Sequence, residues 1–244
     1  MEAYGRSAVS GTADEHEPVP PVAAEVFGDR LERAEDYARV LSDEGVLRGL
    51  IGPSEPARLW SRHILNSAVL GEVIEPGARV VDIGSGAGFP GVPLAIARPD
   101  LEVILVEPLL RRTTFLEEVV DRLSLDNVSV VRGRAEAAPI IERVGGADVV
   151  TSRAVAPLDR LARWSAPLIR VGGELIALKG RTAQEEIAEH AEAAARVGLR
   201  NLSVREVGAD VVDPPSTVLI GNRVETEADR RAGKRAERRR KRRG

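Results

Sequence analysis

The chain has 244 residues, enough for one large domain with extensions and for a core that needs no covalent staples. It contains no cysteine, which excludes a disulfide framework, thiolate metal sites and a cysteine nucleophile. Its formal charge of −3 conceals a division, because residues 230–244 hold ten Arg or Lys and one Glu while the remaining 229 carry 25 basic and 37 acidic side chains.

Residues 1–21 are rich in Gly, Ser, Glu and Pro without apolar periodicity and are expected to be disordered. Residues 22–77 read as a helical extension. Val26, Phe27, Leu31, Ala34, Tyr37, Ala38 and Leu41 recur at helical spacing, and so do Leu59, Trp60, Ile64, Leu65, Ala68 and Val69. Within the second stretch, Arg62, His63 and Asn66 would share one face, and His63 taken by itself reads more readily as a buried, hydrogen-bonded core residue than as a catalytic one. Residues 78–222 alternate β-rich runs (79–83, 102–107, 128–131, 148–151, 174–178, 201–207 and 217–221) with helical ones (91–97, 111–123, 158–169 and 183–197). Such alternation implies an α/β fold with a mostly parallel sheet, and the absence of a helix between the last two runs makes them an antiparallel pair in a seven-stranded sheet. Residues 223–244 form the basic tail, again expected to be disordered and to meet polyanions. No apolar run approaches the ~18 residues of a bilayer span, so a soluble, cytoplasmic chain is expected. Nor is there a sustained heptad, and a monomer is expected.

The first β-run leads into Val81-Asp82-Ile83-Gly84-Ser85-Gly86-Ala87-Gly88-Phe89-Pro90-Gly91. Gly84, Gly86 and Gly88 permit positive φ and close approach of a ligand to the backbone. The G-x-G-x-G spacing differs from the pyrophosphate fingerprint. Asp82 would repel a pyrophosphate but suits a cofactor bearing an ammonium and a sulfonium, such as S-adenosylmethionine. A tight strand–helix turn with no ligand would use the same glycines. Glu107 at the end of the second run, 23 residues beyond Gly84, is placed to accept both ribose hydroxyls of an adenosine.

After the third run, Ala135 and Glu136 could frame the adenine. Arg153, ending the fourth, suits a phosphate, a carboxylate or a guanine edge, or else pairs with a nearby acid at the surface. Lys179 ends the fifth run and is the only lysine outside the tail, which holds Lys234 and Lys241. In a chain with 32 Arg, that suggests a need for a compact ammonium. His16, His63 and His190 are scattered, and no metal site is expected.

Taken together, these residues resemble one family, the bacterial small-subunit ribosomal RNA methyltransferase G, also called glucose-inhibited division protein B. The resemblance rests on Arg62-His63-Ile64-Leu65-Asn66-Ser67, on residues 81–96, and on Arg111-Arg112-Thr113-Thr114-Phe115-Leu116. It extends to Ser152-Arg153-Ala154 and Ala177-Leu178-Lys179-Gly180, covering residues 24–221 or so. It implies a class I S-adenosylmethionine-dependent methyltransferase fold, Rossmann-like, behind the helical extension. The implied reaction is methyl transfer to N7 of a guanine in the 530 loop of 16S rRNA, in the small ribosomal subunit or an assembly intermediate. The family's pattern places the cofactor against Gly84, Phe89, Ala135, Glu136 and Arg153. Asn66 stands where many members carry Asp.

On this reading Arg153 and Lys179 position the reactants without a general base, Lys179 through a backbone phosphate, and Arg62, His63 and Lys179 face the RNA. A nicotinamide-dependent oxidoreductase is disfavoured by Asp82 and the glycine spacing. Two functions still compete with rRNA methylation: a small-molecule methyltransferase and a non-catalytic small-subunit rRNA-binding module.

Overall fold

The computed structural model describes residues 16–153 and 155–231. The expectations for residues 1–15, for Ala154 and for residues 232–244 lie outside them. Seven strands form one sheet in the order β3-β2-β1-β4-β5-β7-β6. They are β1 (Arg79–Ile83), β2 (Glu102–Glu107), β3 (Val128–Arg132), β4 (Ala147–Arg153), β5 (Ile169–Lys179), β6 (Leu199–Val207) and β7 (Ser216–Arg223). The first five are parallel, and β7 lies antiparallel between β5 and β6.

Strand residues alternate between two cores, as the pleat requires. Val80, Val103, Leu105 and Val149 pack beneath the helices α1 (Val22–Phe27), α2 (Leu31–Val40), α3 (Leu65–Ala68), α4 (Gly91–Ala97) and α5 (Leu110–Arg122). Val81, Ile83, Ile104, Val106 and Val150 face the opposite core, covered by α6 (Ala138–Val144), α7 (Leu158–Ser165) and α8 (Ala183–Arg196). Strands buried on both faces read as continuous apolar runs, as Val103-Ile104-Leu105-Val106 does. The order reverses between β1 and β4, and a doubly wound sheet opens its ligand crevice at such a point, outside the carboxyl ends of the strands.

Several elements differ from the sequence expectation. The helix expected over 158–169 ends at Ser165, and Ile169 already begins β5. That early start includes Gly172 at φ +85° and Gly173, where a Cβ would lie 2.5 Å from the Asp148 carbonyl oxygen. Helix α6, not anticipated, is seven residues long with a proline in its first turn, too short to show two full periods.

The N-terminal helices are interrupted. A 3₁₀ turn at Gly28–Arg30 and π turns at Leu41–Gly45 and Trp60–Ile64 shift the helical phase. Residues 16–21, assigned to the disordered segment, are tied to this layer: the Glu17 carboxylate accepts the backbone N–H of Trp60 at 2.7 Å and of Ser61 at 3.1 Å. At the other end β7 continues to Arg223, whose buried guanidinium donates twice to Asp229 at 2.9 Å. No helix among the described residues is long and apolar enough to cross a membrane.

Candidate active site

A cleft of about 1660 Å³ opens at the carboxyl ends of β1 to β5. Its β1–β2 wall is built largely from backbone. Gly84, Gly86 and Gly88 adopt φ of +68°, +60° and +111°, a conformation that L side chains avoid. The loop closes through Gly88 N–H and Phe89 N–H, which both donate to the Ser85 carbonyl at 2.7 and 3.0 Å. From the extension, Tyr37 donates its hydroxyl to the Ala87 carbonyl at 2.8 Å, so α2 grips the glycine loop from behind.

Glu107 is almost fully buried at the cleft floor. One carboxylate oxygen accepts Gly86 N–H at 3.1 Å and the other Leu109 N–H at 3.0 Å. Asp82 lies under the loop and does not line the cleft. Its Oδ2 accepts Gly91 N–H at 3.2 Å, whereas its Oδ1 is buried without a partner. Burial pushes its carboxyl up to about 7.

The β4–β5 wall is a side-chain network. The Arg153 guanidinium sits 4.7 Å from the centroid of the Phe89 ring. His63 stacks on the same ring with centroids 5.0 Å apart. Arg153 donates to His63 Nδ1, so the ring carries its proton on Nε2 and directs it to Glu55. Burial, seconded by the charge of Arg153, holds the His63 imidazole down at about 4, a neutral bridge between carboxylate and guanidinium. Lys179 donates to the Ala156 carbonyl at 3.0 Å and to Glu186 Oε2 at 2.7 Å.

The structure brings Gly84, Gly86, Phe89, Glu107, Ala135, Glu136, Arg62, His63, Arg153 and Lys179 to one cleft. Gly88 and Asp82 stand behind its wall. Two expected roles need correction. His63 was expected to meet RNA, but it is 6% exposed with both ring nitrogens engaged. The π turn at Trp60–Ile64 sends it inward while Arg62 remains exposed and Asn66 donates to Ser216 Oγ at 2.7 Å. Lys179 was expected to hold a phosphate, yet its charge is neutralised by Glu186 and its side chain is mostly buried.

Sequence reasoning missed Glu55, Tyr37 and Glu186. Glu55 and Glu186 look like ordinary surface acids of helical segments, and Tyr37 like any core aromatic, so no spacing signal marks them. Among the described residues no cluster of three or more His, Asp or Glu is placed to hold a metal ion.

The described geometry fits S-adenosylmethionine. The glycines leave the backbone bare, a carboxylate closes the end of β2, and an orphaned buried acceptor lies below the loop, where it complements a cation. Solved structures agree on the fold. One is M. jannaschii TYW2 in complex with AdoMet, with TM-score 0.52 and 18% identity over 68% of this chain and 78% of that one. Another is a SAM-dependent methyltransferase from Aquifex aeolicus, with TM-score 0.51 and 19% identity over 75% of this chain and 99% of that one.

Among sequences, the Ribosomal RNA small subunit methyltransferase G of Mycolicibacterium vanbaalenii is 56% identical over 84% of this chain and 90% of the relative. Its namesake in Streptomyces avermitilis is 56% identical over 85% and 86%. The family described as GidB, rRNA small subunit methyltransferase G, matches residues 30–213. With both the site and this match in place, the chain belongs to the rRNA small subunit methyltransferase G family, the S-adenosylmethionine-dependent enzymes that its sheet and glycine loop had indicated.

Proposed function

We propose that this chain methylates N7 of a guanine in the 530 loop of 16S rRNA, in the small subunit or an assembly intermediate. It does so as a cytoplasmic monomer. The observation that carries this reading is the convergence of two differently built walls, one glycine-lined and acidic, the other bearing Arg153 and Lys179, on a cleft roomy enough for a nucleoside cofactor and a second base.

Gly84 and Gly86 would admit the cofactor to the backbone, Glu107 would accept its ribose hydroxyls, and Asp82 would balance its cationic end from below. Ala135 and Glu136 would border the adenine. S-adenosylmethionine supplies, when bound, an electrophilic methyl group on a sulfonium.

Guanine N7 has an in-plane lone pair and no proton, so the chain needs no general base. Its work is to align N7 with the methyl carbon and sulfur and to keep water out. Arg153 is fixed for that task by the Phe89 ring and by His63. Arg62, exposed at the rim, meets the RNA backbone.

Mass spectrometry of rRNA from cells with and without the gene tests the reading. Loss of one N7-methylguanine from the 530 loop is expected. An unchanged rRNA modification pattern would sink it.

A further inference from the structure

Lys179 and Glu186 meet at the cleft in a way that the phosphate role does not use. The ammonium spends two of its three N–H bonds, on the Ala156 carbonyl and on Glu186 Oε2. Glu186 Oε2 is also the acceptor for Leu158 N–H at 3.1 Å and is thereby saturated. Among the described residues Glu186 Oε1 accepts no hydrogen bond, and both side chains line the cleft. The pair has no net charge to attract a phosphate. It does present one remaining donor next to one remaining acceptor.

A guanine offers the matching edge: O6 accepts and the adjacent N1–H donates. Adenine has the reverse order, an exocyclic amine beside an unprotonated N1. Uracil has the guanine-like order but no N7. A purine held at O6 and N1–H leaves the N7 lone pair unobstructed on the other side of O6. The pair is also fixed relative to the cofactor loop. Its two backbone partners, Ala156 and Leu158, belong to the segment after β4, and Val155 of that segment packs over Gly84, where a Cβ would meet it at 3.0 Å.

We propose that Lys179 and Glu186 together read the Watson–Crick edge of the target guanine, Lys179 donating to O6 and Glu186 Oε1 accepting N1–H. Glu186 is then the residue that selects guanine over adenine. This rests on the methyltransferase reading above.

The test is single-turnover methyl transfer to reconstituted 16S rRNA carrying guanine, inosine, 2-aminopurine or adenine at the target position. All four keep N7. Inosine retains O6 and N1–H and should react within a few-fold of guanine. Adenine and 2-aminopurine lack both groups and should be slower by about ten- to a hundredfold.

Glu186→Gln keeps an oxygen for Lys179 and Leu158 but replaces the free acceptor by an amide N–H donor. It should lower the guanine rate and bring the guanine to 2-aminopurine ratio close to one, with S-adenosylhomocysteine affinity unchanged. Equal wild-type rates on guanine and 2-aminopurine would overturn the assignment while leaving N7 methylation standing, as would a wild-type ratio in Glu186→Gln. No transfer to guanine by the wild type would overturn both readings. Should Glu186→Gln fail to fold, equal wild-type rates on guanine and 2-aminopurine still overturn the assignment, and Glu186→Ala, which removes the acceptor without adding a donor, replaces it as the variant whose ratio must fall.

Discussion

On the β1–β2 side of the cleft, the ligand-facing surface comes from residues 84–107 and consists mostly of backbone, with one buried carboxylate to close it. On the β4–β5 side it is assembled from side chains of distant segments, Arg153 meeting His63 across 90 positions and Lys179 meeting Glu186 across an inter-element turn. A backbone wall has no side-chain rotamers or alternative donors to set and suits a ligand that never changes. A side-chain network sets donors and acceptors one at a time and suits discrimination among bases. The price of the first design is strain and a desolvated charge, while the second depends on a neutral buried histidine.

The comparison is broken most severely at Gly88. Its φ is +111°, and an added Cβ would lie 2.6 Å from the Tyr37 hydroxyl and 2.8 Å from Val92. Gly88→Ala should destabilise the fold by roughly 3–5 kcal/mol, combining backbone strain with overpacking. Urea unfolding would reveal it, and a loss within 1 kcal/mol or so would mean that Tyr37 does not grip the loop.

Asp82 comes next. Its carboxyl, ordinarily near 3.8, stays protonated in the fold up to about 7 because of burial. The unfolded chain releases that proton above its ordinary value, so wild-type stability falls as pH rises between those two points and stays low above them. Asp82→Asn removes this loss. Its stability relative to wild type should therefore grow by roughly 2–4 kcal/mol between pH 4 and pH 8 in the cofactor-free protein. Calorimetry should show the opposite for ligand: S-adenosylhomocysteine binds the variant more weakly, since the penalised charge is the one that complements the ammonium. A stability difference that is flat in pH would refute the buried-charge account.

These two residues also show what could be read from sequence. The β1 loop was legible because it is local: positive-φ glycines, a preceding acid and a strand-end Glu107 occur at fixed separations, and each has a direct chemical meaning. The β4–β5 wall was only half legible. Arg153 and Lys179 could be placed at strand ends, but their partners could not. Glu55 meets His63 at the π turn of Trp60–Ile64, and Glu186 meets Lys179 from the start of α8, across the turn that follows β5. Periodicity assumes a uniform helix, so it placed His63 beside Arg62. The scarcity of lysine pointed to Lys179 without revealing that its charge is neutralised. Helix α6 and the early start of β5 escaped for a simpler reason, being short or glycine-broken.

His63 sharpens the contrast, because its pH dependence has the opposite sign. Burial and Arg153 lower it from 6.5 to about 4, so the fold refuses a proton that the unfolded chain accepts. Its contribution is complete above the ordinary value and is lost as pH falls towards 4. His63→Gln should abolish about 1–3 kcal/mol of acid destabilisation in that window. Protonation would also turn Nδ1 into a donor facing Arg153, so methyl transfer should fail with the same acid limb. Thermal unfolding against pH, compared between the two proteins, measures the first effect. Identical acid limbs would show that His63 is not the titrating bridge.

The smallest effect is expected at Arg62, the exposed neighbour of that bridge. Its side chain is 57% exposed and its closest carboxylate partner, Glu55, is 3.8 Å away, a separation at which a solvated pair contributes little. Fold stability should therefore hardly change in Arg62→Ala. A rim guanidinium that meets a phosphate contributes to affinity through counterion release and not through base choice. The variant should lose about three- to fivefold in rRNA affinity at low salt, with the salt slope reduced by roughly one unit or less. The guanine to 2-aminopurine ratio should stay at its wild-type value, because the selecting pair lies on β5 and α8. Filter binding across a salt series measures the first quantity and single-turnover rates the second. If Arg62→Ala changes base selectivity, the division between a rim that holds RNA and a wall that reads the base is wrong.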